Sequence, residues 1–365
     1  MPLVTAQLDT TACPTPLWLP GPHSQTLYSA LATPTHSLRF VRERVDTPDG
    51  DFIDLDWSAP GMAIKPERHA PDTQVIPQDA MADRWLNAHD ADILKSTQNT
   101  HALVLLHGLE GSSGSRYAQS IMQYFRARGW VVVMAHFRGC SGVANRLARA
   151  YYSGDSEEVG FILKTVQQHV PHALWHAVGV SLGGNALLKY LGEHAADINP
   201  AFQSAAAIAA PIDLLAAGEE LSNNFFCRKV YTRFFLKSLK PKVIEKAKQF
   251  PGTIDVMRIH RARTLRDFDD AYTAPMHGFQ DASDYWRKAS SKPWLSHIKL
   301  PTLVLNARND PFIPEASLPS PSDGSDAVLL HQPAEGGHAG FTTGTFPGNL
   351  LWLPQRLARF FDRGE

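Results

Sequence analysis

The sharpest chemical signal in the sequence is Gly179-Val180-Ser181-Leu182-Gly183-Gly184, set between the apolar run ALWHAV and the helix-like NALLKYLGEH. A serine flanked this closely by glycine, between a strand and a helix, suits a tight turn that lifts its hydroxyl clear of a sheet as a nucleophile. The following helix would aim its free N–H groups and positive dipole end at the same place. Such a serine needs a base, and the base needs an orienting carboxylate. Downstream, TLVLNA runs into Arg308-Asn309-Asp310-Pro311, and AVLLHQ leads to Gly336-Gly337-His338-Ala339-Gly340. Both put a chemically apt residue, Asp310 and His338, just past a strand. Three such residues at the carboxyl ends of strands are what nucleophilic acyl transfer requires.

The run ALVLL ends in His107-Gly108-Leu109-Glu110-Gly111, a turn able to offer a backbone N–H to a developing oxyanion. The Leu109 N–H, with the Leu182 N–H that follows the nucleophile, is the expected donor pair. His107 lies within that turn and reads as a brace for it. Cys140, in Phe137-Arg138-Gly139-Cys140-Ser141-Gly142, has no evident basic partner to make it a second nucleophile.

These residues need a scaffold. Short apolar runs alternate with helical stretches from His101 onward: strands at 102–106, 131–135, 174–178, 205–209, 302–306 and 327–331, helices at 116–128, 156–169, 184–194 and 350–362. The alternation predicts an α/β fold with a mostly parallel sheet and helices on both faces. Alternating runs at 38–47 and 52–58 around Pro48-Asp49-Gly50-Asp51 predict a β-hairpin at its N-terminal edge. Residues 1–38 show no periodicity and read as a strap. Residues 60–100 read as a polar insertion, with a helix conceivable at 80–95. About 90 residues separate the strands at 205 and 302, too many for one crossover helix, so 213–290 is expected to be a helical cap insertion. The whole of 1–365 is thus expected to form one domain. Within the cap, Lys229, Arg233, Lys237 and Lys240 recur at helical spacing. Phe225, Phe226, Phe234 and Phe235 suit either an acyl pocket or an ordinary cap core.

Composition narrows the classes. In 365 residues, 35 basic against 36 acidic side chains leave a net charge of -1, which offers no field to draw nucleic acid. With 44% hydrophobic and 19% charged residues the chain is globular in composition. No apolar run approaches the ~18 residues of a membrane span. The N-terminus lacks a signal-peptide pattern. The three cysteines, Cys13, Cys140 and Cys227, show neither a disulfide framework nor zinc spacing, so a cytoplasmic location is expected.

Several blocks together resemble the YheT-like, type-4 branch of the α/β hydrolases: GPHSQTL (21–27), TPDGDFIDLDW (47–57), HGLEGSSGSRY (107–117), HFRGCSG (136–142), GVSLGGN (179–185), ARTLRDFDDAYTAPMHGF (262–279), NARNDPFIP (306–314) and GGHAGF (336–341). They span nearly the whole chain. The resemblance implies an α/β-hydrolase fold and carboxylesterase or lipid-ester hydrolase activity with no cofactor and no metal. It implies a triad of Ser181, Asp310 and His338 in the family's chain order. The polar stretch from Lys65 to Thr100 departs from the family's pattern and bears on the pocket rim. The expected partner is a small-molecule ester, with peripheral membrane contact through the cap left open, as is the oligomeric state. Two other readings remain at this point. One is acyl transfer or thioester cleavage on the same triad, and the other a non-catalytic binding protein that keeps only the fold.

Overall fold

The computed structural model describes residues 5–63, 76–77 and 80–362. Its ten strands are β1 (Gln7–Asp9), β2 (Phe40–Asp46), β3 (Phe52–Ser58), β4 (Ala82–Trp85), β5 (His101–Leu106), β6 (Val131–His136), β7 (Leu174–Val180), β8 (Phe202–Ile208), β9 (Thr302–Leu305) and β10 (Val328–His331). They form one sheet in the order β1-β10-β9-β8-β7-β5-β6-β3-β2-β4. Neighbours pair in parallel except at β3, which runs antiparallel to both β6 and β2.

The central strands are apolar at nearly every position because both faces are covered. Successive side chains alternate between two cores. Val104, Val133, Ala177 and Val304 pack on one side with helices α4 (Ser156–His169) and α5 (Leu182–Glu193). Leu103, Met134, Val178 and Leu303 pack on the other with α3 (Arg116–Ala127) and the C-terminal helix Trp352–Phe361. Each fully buried side chain of this kind contributes about 1.5–3 kcal/mol. The strand β3 is equally buried yet carries Asp54 and Asp56. Each accepts two hydrogen bonds from an arginine of its hairpin partner, Asp54 from Arg44 and Asp56 from Arg42, and paired charge is what makes such burial tolerable.

Three features differ from the sequence expectations. The hairpin β2–β3 forms, but it does not end the sheet, since β4 from the polar insertion pairs in parallel outside β2. β4 escapes the hydropathy pattern because its inward Arg84 is neutralised by Asp90 of α2 (Ala88–Ser96). Residues 64–75 and 78–79 of that insertion lie outside the described residues. The aperiodic N-terminal stretch contains β1, only three residues long, which pairs with β10 at the opposite edge. It also contains α1 (Pro22–Leu31), whose buried face is Gln25, Thr26 and Ser29 and so leaves no apolar stripe to detect.

Between β8 and β9 the described chain forms helices and turns, among them Leu214–Asn223, Arg233–Gln249 and Ala282–Ala289. This segment, the cap, has a small core of its own around Leu236, Val243, Ile259, Phe268 and Tyr272. A second cluster joins the cap residues Leu221, Cys227 and Tyr231 to Phe312 and Ile313, just past Asp310. Among the described residues no helix is long and apolar enough to cross a membrane.

Candidate active site

Ser181 sits where β7 turns into α5, with φ of 53° and ψ of -119°. A non-glycine residue in that region is strained and persists only when its surroundings over-determine it. Here the Ser181 N–H donates to Ile208 O at 2.8 Å, and Asn185 N–H donates to Ser181 O at 3.1 Å. A Cβ on Gly183 would lie 2.5 Å from His107 O, so only glycine lets the helix start this close to the turn after β5.

The three residues expected to act together do meet. His338 Nδ1–H donates to Asp310 Oδ2 at 2.7 Å, and Ser181 Oγ–H donates to His338 Nε2 at 3.0 Å. The second Asp310 oxygen accepts the Phe312 N–H at 2.8 Å, which fixes the carboxylate. The Asp310 side chain is fully buried and that of His338 is 10% exposed. The Phe312 ring lies against the imidazole, with centroids 4.2 Å apart.

The turn after β5 is built to leave one N–H over. Gly108 N–H donates to Tyr117 Oη at 3.0 Å and Glu110 N–H to Tyr151 Oη at 2.9 Å. Gly111 N–H donates to Gly108 O at 2.9 Å. Among the described residues neither Leu109 nor Leu182 has a protein acceptor for its N–H. The turn also lies against the nucleophile, since a Cβ on Gly108 would stand 3.0 Å from Ser181 Cβ.

His107 is the brace its position suggests. Its Nδ1–H donates to Gly108 O at 2.7 Å and its Nε2 accepts the Phe137 N–H at 3.0 Å. Burial, then the neighbouring His136, pushes its pKa down to about 3, which keeps it neutral. Burial likewise pushes the Cys140 thiol up to about 12, so it holds its proton and is a poor nucleophile.

Residues that hold the histidine loop went unnoticed in the sequence. Thr26 Oγ1 accepts the His338 N–H at 3.0 Å, while Gln25 Oε1 accepts from Gly336 N–H at 3.1 Å and from Asn309 Nδ2 at 3.0 Å. Asn309 Oδ1 in turn accepts the Gly337 N–H at 3.0 Å. The one signal for them was the GPHSQTL block, whose likeness to the family carried no mechanism by itself.

A cavity of about 1130 Å³ opens on Ser181 and His338, with Val230, Phe235 and Trp286 of the cap among its walls. The four cap phenylalanines do not act alike. Phe234 and Phe235 line the cavity, whereas Phe225 and Phe226 face solvent outside it. Among the described residues, no group of three or more His, Cys, Asp or Glu side chains is placed to hold a metal ion.

Comparison with known proteins gives a consistent set. The family description "alpha/beta hydrolase fold" matches residues 101–345. The chain is 35% identical over 338 residues to the Escherichia coli (strain K12) protein named "Putative esterase YheT", spanning 92% of this chain and 88% of that one. It is 27% identical over 347 residues to "Phospholipase ABHD3" of Mus musculus, spanning 94% and 76%. A solved structure of DcsB with its substrate analogue shares the fold with a TM-score of 0.50 at 8% identity, over 89% of this chain and 99% of that one.

Proposed function

The chain belongs to the α/β-hydrolase family and is an ester hydrolase by its relatives, and on that premise we propose that it cleaves carboxylic esters through a Ser181 acyl-enzyme. The observation that carries this reading is the unbroken relay from Ser181 Oγ through His338 to buried Asp310, at the wall of a large cavity. Ser181 Oγ attacks the ester carbonyl as His338 Nε2 takes its proton. Asp310 holds the imidazole in the tautomer that leaves Nε2 free to accept, and stabilises the imidazolium. The oxyanion is received by the Leu109 and Leu182 N–H groups, each such donor typically contributing ~3 kcal/mol. His338 then protonates the leaving alcohol, and water activated by the same nitrogen releases the acid. These residues supply nucleophile, base and oxyanion donors, and the mechanism calls for no metal or organic cofactor.

The substrate we assign is an acyl ester with lipid-like character. The cap walls of the cavity, Val230, Phe235 and Trp286, suit an alkyl chain, and a volume of about 1130 Å³ is above the usual range for small-molecule pockets. The three described cysteines are free and buried, which fits a reducing cytoplasm. The test is a hydrolysis series on p-nitrophenyl esters of graded acyl length with wild type, Ser181→Ala and His338→Ala. Each substitution should lower kcat/KM at least ~10³-fold with the melting temperature retained. Wild-type protein that hydrolyses none of the esters, or a His338→Ala variant of full activity, would refute the reading.

A further inference from the structure

The cap presents a face whose charge and shape the hydrolytic site does not use. From Phe225 to Phe250 the sequence holds eight basic residues and one acidic residue, in a chain whose net charge is -1. Half of the eight are occupied. Lys242 pairs with Glu110 and Lys248 with Glu245, while Lys240 and Lys246 donate to backbone carbonyls. The other half, Arg228, Lys229, Arg233 and Lys237, are exposed, and among the described residues none of them has a carboxylate partner. Apolar side chains stand among them: Phe225 is 69% exposed, Phe234 63% and Phe226 38%. Large aromatics left in water within a basic field are costly for solubility alone and point to a partner.

The position of this face matters as much as its composition. Phe234 lines the catalytic cavity and is yet mostly exposed, so it stands at the mouth. Leu31, at the end of α1, also lines the cavity and is 62% exposed. The two elements touch, with the His23 ring of α1 tilted 34° against that of Phe226 and the ring centroids 4.0 Å apart. Phe234 and Leu31 therefore stand at the opening that leads to Ser181, and the exposed basic residues lie on the cap segment that carries Phe234.

We infer that the cap face formed by Phe225, Phe226, Phe234, Arg228, Lys229, Arg233 and Lys237 docks on an anionic lipid surface, with the cavity mouth turned toward the bilayer. Aromatic side chains would enter the headgroup region while the basic ones meet lipid phosphates, a combination of apolar burial and charge attraction that gives reversible interfacial binding. The inference rests on the esterase reading for its consequence, delivery of an acyl ester from the membrane into the cavity. Docking itself is measurable without turnover.

The experiment is vesicle co-sedimentation of the full chain on phosphatidylcholine vesicles and on a three-to-one mixture of phosphatidylcholine and phosphatidylglycerol. Wild type should bind the anionic vesicles at least ~10-fold more tightly than the neutral ones, and added salt should weaken that binding. A Phe225→Ser, Lys229→Glu, Lys237→Glu variant should lose at least ~10-fold in affinity for the anionic vesicles. These three residues lie outside the cavity walls, so hydrolysis of soluble p-nitrophenyl acetate should stay at the wild-type rate, which also shows that the variant folds. Equal binding to both vesicle types, or a variant that binds as wild type does, would overturn the inference. So would a wild-type dimer in solution that Phe225→Ser alone converts to monomer, which would give the face to a second copy of the chain. Failure of wild type on the soluble ester would count against the hydrolase reading and leave docking standing.

Discussion

Lys242 of the cap helix Arg233–Gln249 places its Nζ 2.8 Å from Glu110 Oε2, in the turn whose Leu109 N–H has no protein acceptor among the described residues. The other Glu110 oxygen accepts from Tyr151 Oη at 3.0 Å, and the same phenol oxygen accepts the Glu110 N–H. Glu110 has φ of 57°, so the turn is held in a conformation that needs support. The cap thus reaches the edge of the proposed oxyanion site through the Lys242–Glu110 ion pair.

That contact predicts a separation of kinetic constants. Lys242→Met should lower kcat about tenfold, because the turn loses its outer support and the oxyanion donor is less well placed. KM should change little. Lys242 is 44% exposed, and a pair of that kind contributes ~1 kcal/mol or less to stability, so the melting temperature should barely move. Lys242→Arg should restore most of the rate. Steady-state kinetics on one soluble ester check this, and an unchanged kcat in Lys242→Met would remove the pair from the account.

The polar face of α1 predicts a second effect. Thr26→Val leaves the His338 N–H unpaired, and Gln25→Ala releases both Gly336 N–H and Asn309. A buried donor or acceptor left unsatisfied costs ~1–3 kcal/mol, and here the cost falls on the loop that aims the imidazole. Each variant should lose at least ~10-fold in kcat, with Thr26→Ser close to wild type because the hydroxyl is kept. Wild-type rates in both variants would show that the loop holds itself.

A pH effect on stability follows from Asp269 in the cap. Burial, with Asp270 adding to it, raises its pKa from 3.8 to about 6, against the lowering effect of hydrogen bonds from Thr273 and Trp286. The folded protein therefore binds a proton at Asp269 that the unfolded chain has already lost between these values. The stabilisation is present in full below pH ~4 and is lost as pH rises through ~6. Melting temperatures of wild type and Asp269→Asn, compared from pH 4 to 7, should show wild type declining relative to the variant. A constant difference across that window would contradict it.

How much of this was visible in the sequence depends on what each element buries. β5 to β10 were legible because strands covered on both faces are apolar almost throughout, and Ser181, Asp310 and His338 each follow one of them. The hairpin was legible through its turn, where Gly50 has φ of 84°. β4 and α1 were not, for one reason: they bury polar side chains, Arg84 against Asp90 and Gln25 against the loops after β9 and β10. A hydropathy pattern does not register a buried polar group satisfied by another side chain, whether six residues on, as for Arg84, or some 300 residues on, as for Gln25. β1 is too short for any pattern, and its pairing with β10 comes from the far end of the chain.

The central claim is that Ser181 is the acylated nucleophile. Wild-type protein with measured esterase activity should be treated with a fluorophosphonate probe, digested, and mapped by mass spectrometry. The account predicts one adduct per chain, on the peptide carrying Ser181, appearing in step with loss of activity, and no labelling of His338→Ala on the same timescale. An adduct on any other residue, or full loss of activity with Ser181 unmodified, would contradict it.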